Sequence, residues 1–189
     1  IISYLRLPPN EPRLADWKAV LKLDASPRDG VRIGIVGKYV EFEDSYKSLN
    51  EALYHGGLAN RLRVELCWVD AEQLEEGTLD RQLAPYDGIL VPGGFGKRGI
   101  DGMLLAARYA RTRKVPYFGI CLGMECAVIE YARSVCNLEA DSSEFDPSAP
   151  HRVFYLLREL LGSEIMGGNM RLGAYPCVLD EDSLAFRVY

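Results

Sequence analysis

The chain has 189 residues, is 48% hydrophobic and has a mean hydropathy of -0.07, enough for one domain with a sizeable core. Its net charge of -5 comes from acidic and basic residues mixed along the sequence, which argues against a partner gripped through nucleic-acid phosphates. No apolar run approaches the ~18 residues of a membrane span, and no signal peptide is visible. Five cysteines without a Cys-x-x-Cys pair, and only His55 and His151 besides, build no zinc site. An odd cysteine count in a chain of this size also argues against a disulfide framework, so a reducing, cytoplasmic setting is expected. The first residue is Ile, which suggests a piece of a longer chain.

Residues 1–30 read as an interdomain linker, broken by Pro8, Pro9 and Pro12, with a short helix over Leu14 to Leu23 and a turn at Pro27, Asp29 and Gly30. The domain proper is expected over 31–189. Val31 to Val36 is a buried strand ending at Gly37. Asp44 or Ser45 can cap a helix with Tyr46, Leu49, Leu53 and Gly57 on its apolar face. Leu62 to Val69 alternates as a second strand, and a charged, helical connection follows. Gly88 to Val91 is a third strand, closed by Pro92-Gly93-Gly94. A helix is expected over Asp101 to Arg113, with Met103, Leu104, Ala107 and Ala110 inward. Val115 to Ile120 is a fourth strand, and Leu122 to Val135 a long apolar helix. Beyond 137 the pattern fades into a polar loop from Asp141 to Pro150, a helix over Val153 to Leu161 and an extended run from Met166 to Cys177.

Near-continuously apolar strands alternating with helices imply an α/β fold: a mostly parallel sheet, helices on both faces, flavodoxin-like. Ligands of such sheets bind beyond the carboxyl ends of the strands, where this chain places two glycine-rich turns. One of them, Gly119-Ile-Cys121-Leu-Gly123, has the Gly-x-nucleophile-x-Gly form of a nucleophile elbow. A strained turn crowds its neighbours, so both flanking positions must lack a Cβ. The helix opening at Leu122 directs its N–H groups and positive end at the sulfur, which favours a thiolate, and the Leu122 amide can receive an oxyanion. A cysteine at a strand end is more often a small buried hydrophobe, but two flanking glycines in a strand–turn–helix context tip the balance to a nucleophile. Cys67, Cys126, Cys136 and Cys177 lack that context and are assigned to packing. The other turn, Pro92 to Gly96, can aim N–H groups into the site as a second oxyanion donor, and it matches no nucleotide-phosphate loop.

These segments resemble the class I (triad) glutamine amidotransferases, in particular the glutaminase domains of CTP synthases. The matches are Gly37 to Val40 with Asp44 to Ser48, Val91 to Gly96 with Arg98-Gly99, Gly119 to Met124, Ser143-Glu-Phe145 and Gly167 to Gly173. The resemblance implies that Cys121 attacks the side-chain amide of glutamine and forms a γ-glutamyl thioester, with Gly94 and Leu122 as the oxyanion hole. Substrate binding would fall to Gly94, Leu122, Gly123, Met124, Glu125 and Glu144, whose carboxylate suits the ammonium of the amino acid. Phe95 and Arg98 fall where the family senses GTP, its allosteric activator. No cofactor or metal is implied for this domain. An upstream amidoligase domain would use Mg-ATP to activate UTP, with the intact protein a homotetramer.

The chain departs from the family at three points. Position 125 is Glu where Gln is usual, and a carboxylate cannot donate to a substrate carboxylate as an amide can. Asn169 stands where Thr is common. The family's general-base His and its orienting Glu come later than Tyr189, and neither His55 nor His151 matches their motif. Residues 1–189 alone are therefore expected to turn over glutamine poorly. Competing readings are another Cys hydrolase of the same fold class, such as a γ-glutamyl hydrolase or a DJ-1-like protein, and a degenerate regulatory domain.

Overall fold

Short β-branched runs bounded by glycine and proline set up a parallel sheet, seen in a computed structural model that describes residues 4–6, 8, 12–26, 29–38, 46–155 and 174–189. The chain divides into two compact units, Ile1–Phe154 and Tyr155–Tyr189. In the first, β1 (Asp29–Gly37) pairs with β2 (Leu62–Asp70) along its whole length, from Asp29 opposite Leu62 to Gly37 opposite Asp70. Its other edge carries β3 (Gly88–Val91), which in turn pairs with β4 (Tyr117–Gly119). The order is β2-β1-β3-β4, every pair parallel, as the apolar strand pattern led us to expect.

Side-chain alternation divides the helices between the two faces. Val36, Ile89 and Val91 point to one face and join a core with Met103, Ala106 and Ala110 of α4 (Ile100–Arg113) and Leu122, Cys126 and Ile129 of α5 (Leu122–Ser134). The opposite face carries Ile33, Leu90 and Trp68. There α2 (Lys47–Asn60) lies over β2, with Tyr46 stacked on Trp68 at 4.8 Å between ring centres. Leu53 of α2 meets Ile33, Leu90 and Phe118 around an apolar cleft. The charged connection after β2 is a 3-10 turn at Ala71–Gln73, capped by the Asp70 carboxylate, and a five-residue helix α3 (Leu79–Leu83).

The structure shifts several expected boundaries. Asp29 and Gly30 are no turn; they are the first two residues of β1, held in the ladder opposite Leu62 and Arg63. The short helix expected over Leu14 to Leu23 is present as α1 (Ala15–Asp24), one residue further on, and none of its residues is buried. The fourth strand shrinks to three residues. Pro116 has no N–H to donate and contributes only its carbonyl, which accepts from Ile89 N–H at 2.9 Å. Asp141 and Ser142 leave the expected loop to form β5 (Ala140–Ser142), paired in parallel with β6 (His151–Phe154). Val153 and Phe154 are thus strand rather than helix, while 156–161 lie outside the described residues. In the second unit, residues 174–180 carry no regular structure and α6 (Leu184–Val188) is capped by the Ser183 hydroxyl. Cap candidates Asp44 and Ser45 also lie outside the described residues.

One ion pair, buried on its carboxylate side and exposed on its guanidinium side, ties α4 to α5. Arg111 donates to both carboxylate oxygens of Glu130, at 2.8 and 2.7 Å, and Glu130 is 5% exposed. Burial pushes its pKa up, but hydrogen bonds from Arg111 and Ser134 and the charges of Arg111 and Arg108 together outweigh that and hold it below the usual carboxylate value. Stability from this pair is therefore complete above the unfolded value near pH ~4.3 and is lost as pH falls through the lower folded value. Glu130→Ala should cost about 1 kcal/mol at pH 7 in urea denaturation, because the Arg111 guanidinium it leaves is exposed and water replaces the lost carboxylate. The gap from the native protein should narrow below about pH 4.

Candidate active site

The site gathers at the carboxyl ends of β1, β3 and β4, beside the point where the chain reverses its direction across the sheet. Cys121 is the pivot. Its backbone sits at φ 52°, ψ -110°, whereas Arg61 and Lys114, two other non-glycine residues at positive φ, adopt the ordinary left-handed conformation. A cysteine held there stores on the order of 1–3 kcal/mol of strain. The thiol-bearing residue is exposed and stands directly before the first turn of α5.

Close packing explains the two flanking glycines. A Cβ on Gly119 would lie 2.4 Å from the carbonyl carbon of Gly123, and one on Gly123 would lie 2.0 Å from the carbonyl oxygen of Val91. Helix α5 starts so near the sheet that neither position has room for a side chain. Ile120 N–H donates to Val91 O at 2.9 Å and Gly123 N–H to Ile120 O at 2.9 Å, which fixes the turn on both sides of Cys121. Tyr117, one strand length earlier, donates its hydroxyl to Gly123 O at 2.7 Å. Burial holds that phenol far above its ordinary pKa, so the proton stays on the oxygen as the bond requires.

The Pro92–Gly96 turn lies against this elbow. A Cβ on Gly93 would be 3.3 Å from Cys121 Cβ and 3.9 Å from its sulfur, and one on Gly94 would touch Leu122 at 3.2 Å. The structure therefore brings together Gly94, Cys121, Leu122 and Gly123, four of the residues expected from the sequence. The first amides of a helix have no intrahelical acceptor, which leaves the Leu122 N–H without a partner inside α5. Met124 is exposed and Glu125 partly so, one turn into α5. Burial raises the Glu125 pKa, and the nearby Glu144 carboxylate adds to the shift. Cys126, on the inner side of the same helix, is fully buried, and burial first, then Glu125, pushes its thiol up to about 12. It stays protonated and in the core. Cys136 and Cys177 are exposed, so the packing role expected for them does not hold.

Glu144 arrives from the turn after β5. Phe145 is buried in the core and anchors that turn, and Glu144 Oε1 accepts the Gly96 N–H at 2.7 Å. One carboxylate oxygen is thus already engaged by the glycine loop. Phe95 is 66% exposed. Arg98 is drawn back to the protein, donating to Glu72 Oε2 and to Lys38 O, each at 3.2 Å. His55 lies on the exposed face of α2, 3.9 Å from Glu51, and His151 heads β6 in an exposed position. Gly167 to Gly173 and Asn169 lie outside the described residues. Among the described residues no group of three or more His, Cys, Asp or Glu is arranged for a metal, and no helix is long and apolar enough to cross a membrane.

Sequence reasoning missed Lys38, which is nearly buried beside the loop, and Tyr117. A lysine directly after an apolar strand, where the chain leaves the sheet over the site, was the available signal for the first. Nothing local distinguishes Tyr117 from an ordinary core tyrosine.

The family model for class-I glutamine amidotransferases matches residues 41–188. The chain belongs to that family. Among similar amidotransferase-bearing proteins are a CTP synthase of Acidobacterium capsulatum, 60% identical over 189 residues, and one of Koribacter versatilis, 58% identical over 192. Each match takes in 100% of this chain and 34% of the relative, so the chain spans about a third of their length. A solved Trypanosoma brucei CTPS glutaminase domain with bound acivicin superposes with a TM-score of 0.74 at 39% identity, over 84% of this chain and 62% of that one. The α/β fold expected from the sequence is the fold of this amidotransferase domain, and the γ-glutamyl hydrolase and DJ-1-like alternatives are not favoured.

Two outcomes test the elbow and its carboxylate. Gly123→Ala should lose about 3 kcal/mol or more in a denaturant melt, because the Val91 carbonyl it meets belongs to a fully buried strand. Glu125→Gln should stabilise the protein slightly at pH 7.5, by less than about 1 kcal/mol given the partial solvent exposure. Glu125 has a raised folded pKa, so its penalty is complete above that value and disappears as pH falls to the unfolded value near ~4.3. Thermal melts of the two proteins should therefore converge at about pH 4.

Proposed function

We propose that the chain hydrolyses L-glutamine at Cys121 and supplies the ammonia for ATP-dependent amination of UTP to CTP. The single observation carrying this reading is Cys121 held at φ 52° and ψ -110° before α5, with the Pro92–Gly94 turn against it. The similarity to CTP synthases across the full chain supports the choice of pathway.

In this reading the Cys121 sulfur adds to the glutamine side-chain carbonyl, whose oxygen becomes negative between the Gly94 and Leu122 amides. Collapse expels ammonia and leaves a γ-glutamyl thioester, which water hydrolyses to glutamate. The free oxygen of Glu144 takes the substrate ammonium, and Gly123, Met124 and Glu125 line the opposite side. Glu125 faces the end of the substrate that bears a carboxylate, so it binds best when protonated, a state its environment favours. Proton transfer to departing ammonia calls for a general acid–base group, and we assign that step to neither His55 nor His151.

The wider proposals follow the family. Ammonia passes to an amidoligase domain that binds UTP and Mg-ATP. GTP activates through the region of Phe95 and Arg98, and the intact protein works as a cytoplasmic homotetramer. Exposed Phe95 suits stacking on a purine.

Labelling with an acivicin-type glutamine analogue tests the core of the proposal. One equivalent should attach to Cys121, protection should be given by L-glutamine, and Cys121→Ala should take up none. Labelling of another cysteine, or none at all, would leave a degenerate site.

A further inference from the structure

We propose that Lys38 is the positioning cation of the oxyanion loop, holding the Gly94 amide toward Cys121 by pinning the two carbonyls that follow it. The inference rests on the glutaminase reading and deepens it.

Lys38 leaves the end of β1 only 6% exposed, an unusual state for a lysine. Its ammonium donates to Phe95 O at 2.9 Å and to Gly96 O at 2.5 Å. The same Gly96 residue gives its N–H to Glu144 Oε1 at 2.7 Å, so a cation grips one end of it and an anion the other. Gly96 sits at φ 76°, a conformation that leaves the loop little intrinsic preference for this shape. The Lys38 stem fills the space beneath: Cε lies 4.0 Å from a Cβ built on Gly94, and Cγ lies 3.5 Å from one on Gly99. Arg98 then closes the ring by donating to Lys38 O while bonded to Glu72.

A purely structural lysine would have no need to spend its charge here. Burial lowers the ammonium's pKa, a cost that Glu144 and Glu72 partly offset. What the arrangement gains is orientation. In a run of glycines the peptide planes can flip, and a flipped plane would present a carbonyl oxygen to the developing oxyanion instead of an N–H. With both carbonyls held on Lys38, the planes that follow Gly94 cannot turn over, and the loop keeps the Gly94 amide on the Cys121 side. The sequence 93–96 is otherwise too pliable to hold a donor within the few tenths of an ångström that catalysis needs.

Lys38→Met in the intact protein removes the two donors and keeps the packing stem. The expected result is a kcat for glutamine hydrolysis down by about 100-fold, the scale of losing one oxyanion donor. KM should stay within about threefold. Alkylation of Cys121 by iodoacetamide, which needs no oxyanion hole, should stay within about twofold of the native rate. Lys38→Arg, which can still donate to both carbonyls, should recover at least about tenfold of the loss. Equal falls in alkylation and turnover would mean that Lys38 merely supports the elbow, and an unchanged kcat would mean that it does nothing to the loop. Either overturns the assignment. If Lys38→Met fails to fold, as a thermal melt would report, the Arg variant decides alone: native-like alkylation with turnover between about a tenth and a half of native supports orientation, and parallel loss of both overturns it. A native protein that releases no ammonia from glutamine, while its Cys121 alkylates normally, overturns the glutaminase reading itself and the Lys38 role with it.

Discussion

The site depends on how close α5 comes to the sheet. With Gly123 against the Val91 carbonyl and Gly119 against Gly123, the chain has no route from β4 into the helix except through a residue with a strained backbone. That residue is Cys121. The side chain is thereby thrust out of the strand ends and set on the helix axis, where unpaired N–H groups and the helix dipole meet it. A side chain at either glycine would relax the angle and retract the sulfur. The strain is stabilised by fully buried neighbours, notably the four residues of β3 and the inner face of α5.

Charged groups stand on both sides of the glycine loop. Glu125 and Glu144 lie near enough for the Glu144 charge to add to the rise in the Glu125 pKa that burial causes. Lys38, Arg98 and Glu72 occupy the far side of the glycine loop and satisfy one another and the backbone. The region near the thiol is thus built of backbone dipoles, with full charges kept one layer away. That suits a reaction whose negative charge is transient and sits on a carbonyl oxygen.

Much of this was legible because it is written in backbone requirements. Glycines at 119 and 123 are dictated by contacts under 3 Å, and such dictates show in a sequence as fixed spacing. β3 and the second half of β1 announced themselves because both faces are covered and every residue from Ile33 to Gly37 and from Gly88 to Val91 is apolar or glycine. The edges were harder to see. β4 is short because Pro116 cannot join the ladder as a donor, and β5 and β6 pair through three and four residues that carry no periodic pattern. Lys38 and Tyr117 escaped for a different reason: each acts through partners that are distant in sequence or buried, and a lysine or tyrosine alone says nothing about what it will touch. Glu144 was placed by resemblance alone; its hold on Gly96 could not be seen from its own loop.

The hydrogen bonds that shape the loop and the ladder behind the elbow join residues far apart in the chain. Lys38 reaches 57 and 58 residues forward to its carbonyls, and Gly96 reaches 48 residues to Glu144. A parallel sheet closes these long loops before any of the contacts can stabilise it, so such topologies order late and cooperatively. The five residues around Cys121 therefore hold no strain of their own as a nascent peptide. On the ribosome the cysteine is an unremarkable flexible thiol until residues through about 144 have emerged and joined the fold. The strained, exposed thiol at this position is a product of the finished tertiary structure, formed in the same event that completes the core.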